Sequence, residues 1–377
     1  MSEKVKAAVV PAKGAELEIQ LVDKPVPKSY VYDESSGERG ELLVKVKAIA
    51  LNPIDCIQVE SGLLVDGYPA ILGCDVAGIV EAVGEGITEF SPGDEIFGCS
   101  KMGLPGHYGA FAEYTLLDAS TTFKKPPHIT FEEAATFPVG SLTAGLGLFD
   151  SLKLPPPSEG ISRFQEEFIL IWGGASSVGS NAIQLAVNSG LTVITTASPK
   201  NHQYLREIGA AYTFDYNAPD VIDQIKEASQ NRLKYVFDTV GSKTASLGAK
   251  ALSKNGKIVC INFEPVETRE DVEVTRVALA SAYRRPNDYL KVTNRVLKEV
   301  EALLFQERLR PSNVSILQGG IDGLPLALEK MKKGNNSHRK LQYLHEAERQ
   351  RIIFHIAYSI VISMSDKKGG WHYFMKI

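Results

Sequence analysis

The residues best placed for chemistry begin with a glycine turn. Residues 168–186 read FILIWGGASSVGSNAIQLA. Phe168 to Trp172 is an apolar run of strand character, and Val178, Ile183, Leu185 and Ala186 recur on or near one face of the helical pattern that follows. Between the two lie Gly173, Gly174, Ala175, Ser176, Ser177, Val178 and Gly179. Small residues there let the backbone approach a ligand, and the first N–H groups of a helix have no acceptor inside it. Strand, glycine turn and helix in that order suit the diphosphate of a dinucleotide, although such a turn alone can simply close a strand onto a helix.

A second group stands where the next strand ends. Leu191 to Ala197 (LTVITTA) reads as that strand, and Ser198, Pro199, Lys200 and Asn201 follow it. An NAD-binding turn usually has Asp or Glu about 20 residues further on, to accept from the ribose hydroxyls. Here no acid is present. Lys200 brings positive charge, and Ser198 and Asn201 bring hydrogen-bonding groups, a set that suits the extra 2′-phosphate of NADPH. The plainer alternatives are a solvated lysine and a helix-capping serine. A third group, Asn52-Pro53-Ile54-Asp55, reads as a loop in which Pro53 sets a turn and Asp55 caps a helix.

The elements that must hold these groups alternate after the glycine turn. Helical patterns at 201–209 and 221–229 separate short strands at 212–215, 234–238 and 257–262. That spacing implies right-handed crossovers and a parallel sheet with ligands beyond the carboxyl ends of its strands. Before the turn the chain is different. Residues 5–10 and 42–50 read as strands, and in the second Val44, Val46 and Ala48 alternate with Lys45 and Lys47. Pro25 to Gly40 reads as a surface loop, and glycine-punctuated strands over 52–99 with a further strand at 110–117 suggest a barrel-like β subdomain. Thr130 is placed to cap a helix whose first turn carries Glu132 and Glu133. An amphipathic helix over 289–305 begins a return to the first domain.

Composition narrows the class. The chain has 377 residues, more than one core usually organises. Its 44% hydrophobic and 23% charged residues are a soluble globular balance, and a net charge of -4 makes no global case for a nucleic-acid surface. Cys56, Cys74, Cys99 and Cys260 have no close redox or metal-ligand spacing, which points to a reducing compartment, the cytoplasm. The N-terminal stretch MSEKVKAAVV reads as no signal peptide, and no run reaches the about 18 apolar residues of a membrane span. The seven histidines show no ligand pattern, and no Ser-His-Asp arrangement stands out.

Together these motifs resemble the medium-chain dehydrogenase/reductase superfamily. The resemblance is carried by NPID at 52–55, LGCDVAGIVEAVG at 72–84, PGDEIFG at 92–98, AFAEY at 110–114, FPVGSLTA at 137–144 and GGASSVG at 173–179. It is nearest to the zinc-free branch of quinone reductases and fungal trans-acting enoyl reductases, and it covers roughly residues 4 to 343. The resemblance implies an α/β fold in which a GroES-like β-rich catalytic domain carries an inserted Rossmann domain: 1–128 and 285–343 for the first, 129–284 for the second, and 344–377 as an atypical tail. Zinc-bearing relatives place Cys where Asn52 stands and His-Glu where Cys74-Asp75 stands, so no metal is expected.

The resemblance also implies site residues. NADPH would meet Asn52, Pro53, Ile54, Asp55, Gly174, Ser176, Ser177, Val178, Gly179, Ser198, Pro199, Lys200, Asn201, Tyr216, Ile261 and Asn262. Substrate would meet Phe137, Pro138, Val139, Gly140, Ser141, Leu142, Thr143, Ala144, Tyr283 and Arg284, with Asn52, Ser141 and Thr143 as catalytic candidates. Ile57 departs from the lysine that several enoyl reductases carry two positions after the NPxD aspartate, which removes a lysine donor there. The implied activity is NADPH-dependent reduction of an activated C=C bond in a small enoyl substrate, free or bound to a carrier protein. Quinone reduction and non-catalytic NADPH binding are the alternatives, in a monomer or homodimer. Residues 344–377 match nothing in the resemblance; a cryptic extension or a membrane-touching or partner-binding helix are its two readings.

Overall fold

The structure, a computed structural model, describes residues 2–28, 40–101, 103–159, 167–262, 264–277, 279, 288–332, 340–344, 351–353, 359–363 and 372–376. The chain divides into two compact units, Met1–Pro138 with Pro311–Ile377, and Val139–Arg310.

The first unit is β-rich. In chain order it contains β1 (Lys4–Val10), β2 (Glu18–Asp23), β3 (Glu41–Ala50), α1 (Pro53–Ser61), β4 (Ala70–Ile71), β5 (Asp75–Val83), β6 (Glu95–Cys99), β7 (Tyr114–Asp118), β8 (Thr122–Lys124) and α2 (Phe131–Ala134). β1 lies between β2 and β4 in one sheet, while β3, β5, β6 and β8 run in order through a larger one, with β7 also on β3. The alternation read in β3 holds at its centre. Val44, Val46 and Ala48 are buried, and Lys45 is exposed. Val44 and Val46 join Val9, Val76, Ile96, Phe111 and Leu117 in one core. α1 starts with Pro53, whose missing N–H costs nothing in a first turn, and stops at Gly62, which takes φ 68°.

The second unit is doubly wound. α3 (Pro138–Gly145) continues into a π-helical turn at Leu146–Ser151. Then come β9 (Phe168–Trp172), α4 (Ser177–Asn188), β10 (Thr192–Thr196), α5 (His202–Glu207), β11 (Tyr212–Phe214), α6 (Val221–Ala228), β12 (Tyr235–Asp238), α7 (Ser242–Ala249), β13 (Lys257–Cys260), β14 (Glu273–Arg276) and α8 (Asp288–Phe305). The six strands lie in the order β11-β10-β9-β12-β13-β14, all parallel. Strand order therefore reverses between β9 and β12, where such sheets open to ligand. β9 is buried along its whole length, as a central parallel strand must be.

Two boundaries fall later than the sequence suggests. Residues 129–138 stay with the first unit because α2 packs on β3 and β5 there. Its start is fastened as read, Thr130 Oγ1 accepting from Glu133 N and Glu133 Oε2 accepting from Thr130 N. The described residues 288–310 belong to the second unit. α8 packs on the turn at 146–151, and Gln184 of α4 bonds the backbone of Arg310 in both directions.

The first unit then resumes with β15 (Val314–Gln318), α9 (Leu324–Lys332), β16 (Lys340–Leu344), β17 (Arg351–Ile353), β18 (Ser359–Ser363) and β19 (His372–Lys376). β15, β16 and β17 extend the large sheet and β18 pairs with β19. The described part of the tail is thus strand, which corrects its reading as a helix. The β-branched isoleucines and valine of its apolar run favour that outcome. Among the described residues no helix is long and apolar enough to cross a membrane.

Candidate cofactor and catalytic site

The glycine turn follows the carboxyl end of β9. Gly173 takes φ +84°, the left-handed region that favours glycine. A side chain on Gly174 would put its Cβ 2.0 Å from Thr195 Oγ1, so β10 and the turn close together only around glycine. Ser176 caps α4, its Oγ accepting from Gly179 N at 2.6 Å. The same hydroxyl lies 2.9 Å from Thr239 Oγ1, which donates to the carbonyls of Trp172 and Gly173. Ser176 therefore gives its proton to Thr239 and is fixed from both sides. With Gly179 N capped, the N–H groups of Ser177 and Val178 open the helix without an intrahelical acceptor. An anion fits there, with the positive end of the helix dipole behind it.

The other sites read from the sequence in this unit reach the same edge of the sheet. Beyond β10, Ser198 Oγ and Tyr216 OH lie 2.9 Å apart, with Lys200 exposed one turn on and Asn201 buried. Ser198 makes no side-chain cap; its hydroxyl is committed to Tyr216. Ile261 and Asn262 follow β13 at the corresponding level, half-buried, and Asn262 Oδ1 has no protein partner. The chain thus assembles a diphosphate-type turn and, one strand over, a cation and two hydroxyls, with no carboxylate at the end of β10.

The 137–144 segment forms α3 and its approach. Gly140 packs against the start of α4 so closely that a Cβ would fall 2.5 Å from Ser177 Oγ and 2.9 Å from Asn181 Nδ2. α3 and the start of α4 are therefore one packed piece. Of the two hydroxyls proposed for catalysis, Ser141 is fully buried and Thr143 is 7% exposed. Phe137, Pro138, Leu142 and Ala144 are buried, and Val139 is the half-exposed residue of the segment. Tyr283 and Arg284 lie outside the described residues.

In the first unit, Asn52 stands at the start of α1 with Pro53 exposed and Ile54 half-buried behind it. Asp55 caps as the sequence suggests, its Oδ2 accepting from Asn52 N at 2.6 Å. Asn52 Nδ2 donates to Asp75 Oδ2 at 3.0 Å, and Cys74 Sγ donates to Asp55 Oδ1 at 3.5 Å. All of Asp55, Cys74 and Asp75 are buried. Burial, with the charge of Asp55 beside it, pushes the Cys74 thiol well above its ordinary value.

Asp238, which no sequence motif above includes, is the last residue of β12, in register with Trp172 on one side and Cys260 on the other. Its Oδ1 accepts from Val240 N and Gly241 N at 2.8 and 2.7 Å, while Oδ2 is buried without a partner. Burial raises its carboxyl to about 7. The available signal was the run Asp-Thr-Val-Gly straight after an apolar strand.

A β-rich unit and a doubly wound unit with a diphosphate-type turn define a two-domain nicotinamide-type dehydrogenase fold. The alcohol dehydrogenase GroES-like domain family matches residues 38–127, and the zinc-binding dehydrogenase family matches residues 177–285. A trans-enoyl reductase of Alternaria alternata is 34% identical over 90% of this chain and 98% of its own length. A zinc-type alcohol dehydrogenase-like protein of Schizosaccharomyces pombe is 31% identical over 88% and 97%. An alcohol dehydrogenase superfamily protein from Novosphingobium aromaticivorans, 25% identical, superposes with TM-score 0.73 over 93% of this chain and 99% of its own. The chain belongs to the medium-chain dehydrogenase/reductase superfamily and is an oxidoreductase.

The zinc in two of those names does not fit the residues present. Asn52 offers a neutral amide whose nitrogen is turned to Asp75. Zinc takes thiolate, imidazole or carboxylate ligands. Among the described residues no group of three or more His, Cys, Asp or Glu is placed to hold a metal ion.

Proposed function

We propose that this protein reduces the activated C=C bond of an α,β-unsaturated carbonyl substrate with NADPH. When bound, NADPH supplies a hydride to the β-carbon. The observation that carries the cofactor choice is the end of β10, where Ser198, Tyr216 and Lys200 gather donors and no acid opposes a 2′-phosphate. The relative named a trans-enoyl reductase, matched over nearly its whole length, supports the substrate class. Reduction leaves negative charge on the carbonyl oxygen, and hydrogen-bond donors lower its energy most when they are already in place. Thr143, which keeps some exposure, is a better candidate for that donor than Ser141. Ser177 and Val178 present N–H groups to the diphosphate. Free, reduced cysteines at 56, 74, 99 and 260 support a cytoplasmic setting, and an acyl chain presented by a carrier protein is within the same reading.

The test is NADPH consumption with a 2-enal, an enoyl thioester and a quinone. Turnover of the first two with product saturated at the α and β carbons is expected. Turnover of the quinone alone would replace the enoyl reading with quinone reduction. Tight NADPH binding without turnover of any of the three would make the protein a non-catalytic NADPH binder.

A further inference from the structure

A threonine straight after β12 governs the hydroxyl that caps α4. Thr239 and Ser176 are 4% and 6% exposed. Their hydroxyl oxygens lie 2.9 Å apart. Thr239 Oγ1 also stands 2.9 Å from the carbonyl oxygen of Trp172 and 3.1 Å from that of Gly173. A hydroxyl has one proton, and a lone pair turned toward two carbonyl oxygens is repelled, so the Thr239 proton lies on that side. Its lone pair is left for Ser176, which donates to it, while the Ser176 oxygen accepts from Gly179 N at 2.6 Å. The Ser176 proton is thereby committed inside the fold and does not reach an anion at the turn. The loop that carries Thr239 is tied as well. Thr239 N donates to the Trp172 carbonyl at 3.1 Å, and Asp238 Oδ1 accepts from Val240 N and Gly241 N.

We propose that Thr239 is a positioning residue for the dinucleotide diphosphate: it holds Ser176 on Gly179 N, so that the anion meets the N–H groups of Ser177 and Val178 and takes no hydrogen bond from the Ser176 hydroxyl. The proposal deepens the functional reading above and rests on it only in taking a nicotinamide dinucleotide as the ligand of the turn. It makes Ser176 a helix cap and removes it from the groups that touch the cofactor. β12 lies beside β9 where the strand order reverses, so the Thr239–Ser176 bond joins the two halves of the sheet at the crevice that opens to ligand. N–H groups already set in place bind an anion better than groups that must first be ordered.

Thr239→Val, Thr239→Ser, Ser176→Ala and the double variant Thr239→Val with Ser176→Ala test this. Binding of NADPH, NADH and adenosine 2′-monophosphate is measured, with thermal unfolding as the check on folding. Thr239→Val releases Ser176 from its cap and is expected to weaken both dinucleotides about tenfold, the loss of roughly one hydrogen bond. Thr239→Ser keeps the hydroxyl and should stay within about threefold of the unaltered chain. Ser176→Ala should weaken the dinucleotides as much as Thr239→Val does. The double variant should be no more than about twofold worse than either, because the two residues act as one unit. Adenosine 2′-monophosphate has no diphosphate, so its affinity should not change, whereas a general loosening of the unit would weaken it too. Effects that multiply to about a hundredfold in the double variant overturn the proposal. So does unchanged dinucleotide affinity in a folded Thr239→Val, or a tighter one, as a Ser176 proton released to the diphosphate would give. If Thr239→Val does not fold, Thr239→Ala takes its place, and if the monophosphate does not bind, the double variant decides. A preference for NADH would overturn the choice of cofactor and leave this inference standing. No dinucleotide binding by the unaltered chain would overturn both.

Discussion

Asp238 allows a prediction whose size can be worked out. Its carboxyl sits at about 7 in the folded chain against an ordinary value of 3.8, because burial penalises the charge more than the Thr244 hydroxyl and the N–H groups of Val240 and Gly241 repay. Between those two values the folded chain holds a proton that the unfolded chain has released. Stability from this residue therefore falls as pH rises, by about 1.4 kcal/mol per unit, and levels off above the folded value. From about pH 5 to about pH 7 the loss is about 2 kcal/mol, because the slope has already halved at the folded value. Asp238→Asn keeps an oxygen for Val240 and Gly241 and removes the titration. Urea unfolding of both chains across that range is the assay. The unaltered chain should lose about 2 kcal/mol relative to Asp238→Asn. Parallel pH profiles would refute the assignment of a neutral, buried Asp238.

Three further outcomes follow from the geometry. Gly140→Ala should destabilise the second unit by about 1–3 kcal/mol and weaken NADPH binding, because its Cβ would press on Ser177 Oγ and Asn181 Nδ2; adding Ser177→Ala should recover most of the loss in thermal unfolding. Lys200→Ala should weaken NADPH binding about tenfold and leave NADH nearly unchanged, measured by titration with each cofactor. Dialysis against a chelator should leave turnover unchanged, since Asn52 offers an amide and no group of three or more His, Cys, Asp or Glu among the described residues is placed to hold a metal ion.

Local patterns made the doubly wound unit legible. β9 announced itself as five apolar residues before a glycine turn, and Thr130 with Glu133 announced the capped start of α2. β14 went unread because Glu273 to Arg276 is a polar edge strand, with no apolar run to mark it. Individual site residues could be named from motifs, but their contacts could not. The bond from Asn52 to Asp75 depends on β5 returning beside α1, 23 residues later. Thr239, which locks Ser176, depends on β12 lying next to β9, a neighbour relation set by the whole sheet order. Gly140 looked like one small residue among several; its role appears only where α3 meets α4. The domain boundaries slipped for the same reason, since α2 and α8 are assigned by what they pack on.

The proposed reaction is hydride delivery from a phosphorylated nicotinamide to an alkene carbon. The most direct measurement supplies NADPH carrying deuterium at its transferable position, together with an enoyl thioester, and locates the label in the product by NMR. Deuterium at the β-carbon of a saturated thioester is the predicted result. Label on the carbinol carbon of an unsaturated alcohol, which is what carbonyl reduction would leave, contradicts it.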